Sequence, residues 1–158
     1  MNLLLLPGPR VPALDLNNPG SAVRAKSMPL AQAWSPLQCD GHFVGYTRED
    51  GSECPRLLKQ DQDWAMTQGI ALEWLAYDID NPGHAQWENP EHAESALWAM
   101  LDQLPKSLEA YAGGYTTRAG LRLVFHLGTR VPLNFANALL RDVAVLLEDV
   151  GIQVDRSC

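Results

Sequence analysis

Two aspartates stand two positions apart in Glu73-Trp74-Leu75-Ala76-Tyr77-Asp78-Ile79-Asp80, a run whose other residues mostly belong inside a protein. Side chains alternate along an extended chain, so Asp78 and Asp80 share one face with their Cα atoms about 7 Å apart. Trp74 and Ala76 continue that face, while Leu75, Tyr77 and Ile79 take the other. Aspartate is depleted from strands because its short side chain competes for backbone hydrogen bonds. Two carboxylates about 6.5 Å apart also repel by roughly 2.5 kcal/mol at an effective dielectric of about 20. Something positive must offset this, and a hard divalent cation such as Mg²⁺ or Mn²⁺ is the natural candidate. A calcium loop starting at Asp78 is excluded, because Pro82 falls on a ligand position and Asn89 replaces the closing Glu.

The surrounding elements decide whether other groups join the pair. Ala71–Asp80 reads as a strand ended by Asn81-Pro82-Gly83. Asn89-Pro90 then opens a helix, with Asn as cap and Pro in the first turn, and Ala93, Leu97, Met100, Leu101 and Leu104 form its apolar stripe up to Pro105. Strands are expected at 108–116 and 121–127, with Arg118-Ala119-Gly120 in the turn between them. Asn134 is expected to cap a second helix, with Phe135, Leu139, Val143, Leu146 and Val150 on its buried face and Gly151 as its left-handed stop. Ile152–Asp155 reads as a last short strand.

The resulting order, βαββαβ, is the ferredoxin-like (RRM-like) arrangement of an α+β fold, with two helices on one face of a four-stranded antiparallel sheet. Right-handed crossovers put its first and third strands in the middle and the fourth beside the first. Asp78, Asp80 and Asp155, drawn from up to 77 positions apart, then meet at one corner with Arg122. Three carboxylates and a guanidinium on an uncovered sheet face suit phosphoryl transfer from a nucleoside triphosphate. Two shared metals would activate the attacking oxygen and stabilise the pyrophosphate, and Arg122 would grip a phosphate oxygen pair.

Composition agrees with a globular protein and limits its partners. The 158 residues are 46% hydrophobic, and the formal net charge of −7 excludes a polybasic nucleic-acid coat or an anionic-membrane binder. Residues 1–69 hold six Lys/Arg against seven Asp/Glu, and residues 70–158 hold six against twelve, so the acid is concentrated in the second half. No run reaches the roughly 20 apolar residues of a membrane span. Three scattered cysteines point to a reducing cytoplasm. The first half, punctuated by prolines, reads as a smaller, irregular α/β region with a strand at 42–46, a turn at 48–52 and a helix near 57–66. One compact unit with a 1–69 subregion and a 70–158 catalytic subregion is the expected organisation.

In these residues the chain resembles the archaeo-eukaryotic primase superfamily, particularly the primase-polymerase domains of phages and plasmids. Trp74–Asp80 matches its hydrophobic strand ending in Asp-x-Asp. Thr117-Arg118-Ala119-Gly120-Leu121-Arg122-Leu123 matches a phage-type form of its second motif, and Val154-Asp155 matches its third, a hydrophobic residue followed by Asp. The resemblance covers about residues 70–158. It implies catalysis and Mg²⁺ or Mn²⁺ ligation by Asp78, Asp80 and Asp155, and contacts to the incoming NTP or dNTP from Thr117, Arg118, Gly120, Arg122 and His126. Arg122 stands where many members have a histidine. Arg24, Lys26 and Arg48 are the expected contacts to a single-stranded DNA template. The implied activity is template-directed nucleotidyl transfer during phage or plasmid DNA replication, in the cytoplasm, alongside a replicative helicase. The chain ends three residues after Asp155, which reads as a fragment of a larger replication protein.

Two other functions use the same residues. One is a catalytically silent ferredoxin-like module gripping single-stranded nucleic acid, which the carboxylates on the open face disfavour. The other is a metal-dependent phosphodiesterase or nuclease. Cys39-x2-His42 with Cys54 lacks a fourth zinc ligand at suitable spacing. Tyr115 is placed either to stack on a base or to pair across its hairpin. His84 and His92 read as exposed loop and first-turn residues.

Overall fold

The computed structural model describes residues 2–7, 16–17, 26–29, 41–50, 54 and 57–155. It is an α+β protein. In chain order the elements are β1 (Asn2–Pro7), β2 (Lys26–Pro29), β3 (Gly41–Val44), β4 (Tyr46–Thr47), α1 (Gln62–Thr67), β5 (Ala71–Asp80), α2 (Pro90–Leu101), α3 (Lys106–Glu109), β6 (Ala112–Thr117), β7 (Gly120–Pro132) and α4 (Leu133–Asp149). The described residues form a three-stranded sheet in the order β2-β1-β3 and a four-stranded one in the order β4-β5-β7-β6. The chain divides into two compact units, residues 1–74 with 128–136, and residues 75–127 with 137–158.

In the first unit, β1 pairs antiparallel with β2 and β3, and β4 pairs with the first residues of β5, Tyr46 opposite Leu72. The expected strand at 42–46 falls on β3 and β4, and the expected helix ends in α1. Ala65, Ile70, Leu72, Trp74 and Leu133 are buried there. The one buried carboxylate among the described residues, Asp61, accepts the Leu58 amide at 2.7 Å. Arg130 donates to the carbonyls of Thr47 at 2.7 Å and Gly69 at 2.8 Å.

The second unit holds Asp78, Asp80, Arg122 and Asp155. Leu75, Tyr77, Leu121, Leu123 and Phe125 are buried on their strands, as the alternation requires, and Val143, Ala144 and Leu147 of α4 are buried as well. Asn89 accepts the His92 amide at 2.9 Å with Pro90 in the first turn, so α2 starts where the sequence places it. β6 and β7 form the expected hairpin, Tyr115 opposite Arg122 and Thr117 opposite Gly120. Gly114 lets α2 approach β6, since a Cβ there would stand 2.6 Å from Leu97 Cδ1.

Four expectations need correction. Residues 108–109 belong to α3 rather than to a strand: the Leu108 amide bonds back to Pro105 O at 2.8 Å, and β6 begins only at Ala112. Helix α2 ends at Leu101, with turns carrying the chain to Leu104. Helix α4 begins at Leu133, so Asn134 lies inside its first turn, and its face is rotated from the expected one. Ala136, Val143, Ala144 and Leu147 are buried, whereas Phe135, Leu146 and Val150 are exposed. The helix has two apolar stripes, and the buried one is the one that includes Ala136 and Ala144. Finally, Ile152–Asp155 forms no regular strand. Gly151, at φ 87°, donates to Glu148 O and Ile152 donates to Leu147 O, both at 2.9 Å. This is a Schellman cap. Ile152 uses its amide to close the helix, so that amide is not open to a strand ladder.

Candidate functional site

The end of β5 lies against the start of β7. Asn81 N donates to Ala119 O at 2.8 Å, and a Cβ on Gly120 would collide with Ile79 O and stand 2.9 Å from Asp80 Cα. Only glycine fits there, which gives Gly120 a packing role independent of any ligand. The same proximity sets Arg122 beside Asp78. Arg122 Nε donates to Asp78 Oδ1 and Nη2 to Asp78 Oδ2, a bidentate pair with side-chain exposures of 24% and 21%. Arg122 Nη1 reaches the Tyr115 hydroxyl at 3.3 Å, and the guanidinium carbon lies 5.9 Å from that ring's centroid. Tyr115 thus pairs across the hairpin, the plainer of its two expected roles.

Burial by itself would lower the Arg122 pKa. The hydrogen bond to Asp78, the Coulombic pull of Tyr115 and Asp78, and the hydrogen bond to Tyr115 outweigh it and hold the guanidinium above its ordinary value. Burial raises the Tyr115 phenol, with Arg122 pulling the other way.

Asp155 comes to Asp78 through the backbone. Its amide donates to Asp78 O at 2.8 Å, across 77 positions of sequence. With Val154 it lines a small pocket of about 70 Å³ bounded by Ala76, Tyr77, Leu140, Arg141 and Ala144. Asp80 is 41% exposed, and His84 Nδ1, on an exposed ring, lies 3.5 Å from its Oδ2. His92 is exposed as expected. The donor chemistry of Asp78, Asp80 and Asp155 suits Mg²⁺ or Mn²⁺. Among the described residues no three His, Cys, Asp or Glu side chains gather closely enough to hold an ion, and both Asp78 oxygens receive an Arg122 donor.

Neither a protein-family model, nor a curated protein, nor a solved structure matches this chain.

The remaining expected residues fall as follows. Thr117 and Arg118 sit at the hairpin turn, where the loop after β5 holds them. Trp87 Nε1 donates to Thr117 O and Gly120 O, each at 3.1 Å. Gln86, with its amide oxygen toward the guanidinium, accepts from Arg118 Nε at 3.1 Å and Nη2 at 2.8 Å. Sequence reasoning passes over Gln86 and takes Trp87 for a core residue, whereas it is half-buried in the loop; the one available signal is a large aromatic within an otherwise polar loop. His126 is half-buried on β7, its amide donating to Tyr111 O at 3.1 Å. Trp74, expected on the open face, is buried at 4% exposure and offers no stacking surface. Lys26 is on β2 opposite Leu5, and Arg48 is half-buried just after β4. Arg24, Cys39 and Cys158 lie outside the described residues, while Cys54 is fully buried. No described helix is long and apolar enough to cross a membrane.

Proposed function

We propose that the chain is the catalytic part of a DNA primase or primase-polymerase, a nucleotidyltransferase that extends a strand on a single-stranded template. Its second unit would be a ferredoxin-like βαββαβ module in which the segment after α4 takes the place of the fourth strand. The observation that carries the reading is the hydrogen bond from Asp155 N to Asp78 O, which joins the backbones of two aspartates far apart in sequence. The bidentate guanidinium on Asp78 supports it, since planar forks of this kind also recognise phosphate.

Asp78, Asp80 and Asp155 would hold Mg²⁺ or Mn²⁺, which when bound supplies Lewis-acid stabilisation of phosphoryl oxygens. Arg122 would bind the triphosphate, and Arg118, oriented by Gln86, would supply a second cation at the turn. Trp87 keeps that turn in place. Tyr115 orients Arg122 by hydrogen bond and ring contact. The template, the NTP or dNTP and a helicase partner belong to the proposal. Single substitutions Asp78→Ala, Asp80→Ala and Asp155→Ala are expected to lower Mn²⁺-dependent nucleotide incorporation on a primed single-stranded template by about a thousandfold or more. Circular dichroism would check the fold, and full incorporation by an Asp78/Asp80 double variant refutes the assignment.

A second reading has one observation in its favour. Arg122 already neutralises Asp78, as it would in a silent nucleic-acid-binding module that never takes up metal. Incorporation by the wild type excludes that module. Cleavage of a labelled oligonucleotide without nucleotides would identify a nuclease instead.

A further inference from the structure

We infer that the outward face of α2, centred on Trp98, is a docking surface for a basic segment of another protein, with an arginine of that segment stacked on the indole. The inference does not depend on the function proposed above. Trp98 is 58% exposed, against 4% for Trp74, and is the one exposed tryptophan among the described residues. The sheet side of α2 is already served by buried Ala93 and by Leu97, whose Cδ1 packs at Gly114 of β6. Trp98 therefore adds nothing to that core, while an exposed tryptophan is the side chain that most often anchors a partner.

Three carboxylates share its face. Glu91 and Glu94 lie seven and four positions before Trp98 and Asp102 four after it, which aligns all four side chains on one side of the helix. All three acids are exposed, and among the described residues none of them has an ion-pair partner. Helix stability does not account for the set. A carboxylate suits the first turn, where Glu91 stands, but Asp102 is the C-terminal cap, where the helix dipole favours a cation.

Charge and shape select the occupant. Indole is the ring that best holds a cation over its face, and arginine adds a planar stack that lysine lacks. Trp98 Nε1 donates to Glu94 Oε1 at 3.4 Å, so a guanidinium on the ring also meets a carboxylate. Glu91 and Asp102 stand about 10 Å before and about 6 Å after Trp98 along the axis, within reach of basic residues flanking the stacked arginine. Nucleic acid and anionic lipid are repelled by this face, and two copies joined through it would set acid against acid.

Anisotropy of fluorescein-labelled hexa-arginine, titrated with the full chain, tests the surface. Trp98→Ala leaves the net charge unchanged and is expected to weaken binding about tenfold. Glu91→Gln, Glu94→Gln and Asp102→Asn together should weaken it at least as much. The same charge change at exposed acids of α3 and α4, Glu109→Gln, Asp142→Asn and Asp149→Asn, should weaken it no more than about twofold. Hexalysine should bind about fivefold more weakly than hexa-arginine. Unchanged binding by Trp98→Ala, equal losses in the two triple variants, or equal affinity for the two peptides overturns the inference. Circular dichroism checks each fold, and the unaltered chain gives an independent reading. Its Trp98 indole N–H resonance should shift with hexa-arginine while that of Trp74 stays, and a Trp98 resonance that does not move overturns the stacking. Sedimentation equilibrium of the chain alone covers the other occupant: a dimer that Trp98→Ala abolishes would assign the face to a second copy and overturn the basic partner.

Discussion

Tyr77, the residue before Asp78, faces the other way, and its hydroxyl donates to Leu140 O at 2.8 Å while its ring meets Phe125 edge-on at 6.0 Å. The neighbours on either face of β5 therefore do separate work, one anchoring α4 and the other carrying charge. Burial pushes the Tyr77 phenol above its ordinary value. A raised folded-state pKa means the folded protein favours the neutral phenol. The resulting stability is complete below the unfolded value of about 10 and is lost as pH rises from there toward the folded value. Tyr77→Phe is expected to cost about 1 kcal/mol at neutral pH through the lost hydrogen bond. Urea unfolding across a pH series should show the wild-type advantage shrinking above about pH 10. A constant difference would mean that the folded protein ionises this phenol as readily as the unfolded chain does.

The elements that hold the candidate site are of two kinds, and only one was legible in the sequence. Strand β5, the Asn89 cap of α2, the β6–β7 hairpin and the Gly151 stop all follow from local rules of alternation, capping and backbone freedom. The face of α4 did not, because Phe135, Leu146 and Val150 have the same helical spacing as the residues that are buried; the choice between stripes is made by packing. The segment 152–155 was misread as a strand because Ile152 alternates correctly, whereas its amide is used by the helix cap. The expected meeting of Asp155 with Asp78 relied on a fourth strand that does not form, and what remains of it is one backbone hydrogen bond; the pairing of both Asp78 oxygens with Arg122 was not legible, since spacing cannot tell a counter-ion from a ligand-binding cation. The loop 81–89 was equally opaque. Its hold on the hairpin turn rests on Trp87 Nε1, which serves two carbonyls at once. Trp87→Phe keeps most of the apolar ring and removes that donor. Amide hydrogen exchange at residues 117–120 is expected to accelerate about fivefold, with the β5 amides unchanged. Unaltered exchange at the turn would assign the loop no hold on it.

Charge is the property that acts over the whole molecule. With a net −7, and twelve acids against six bases in residues 70–158, the chain repels the phosphate backbone that the proposed function requires it to approach. Arg24, Lys26 and Arg48 are too few to reverse this, since nonspecific affinity for nucleic acid scales with the number of phosphates neutralised. On the proposed function, divalent ions at the carboxylates would supply the missing positive charge and turn the most repulsive part of the chain into a place where a phosphate can settle. Binding of a labelled single-stranded oligonucleotide, followed by fluorescence anisotropy, should therefore be weak in EDTA and about tenfold or more tighter with Mn²⁺. Replacing Asp78 and Asp80 together with Asn should abolish that gain while raising the affinity in EDTA, because two negative charges have been removed. A sheet that binds single strands by stacking and ordinary cationic contacts would show the opposite pattern, with tight binding in EDTA and no loss on removing the carboxylates. The two functions therefore predict opposite effects of chelation on the same measurement.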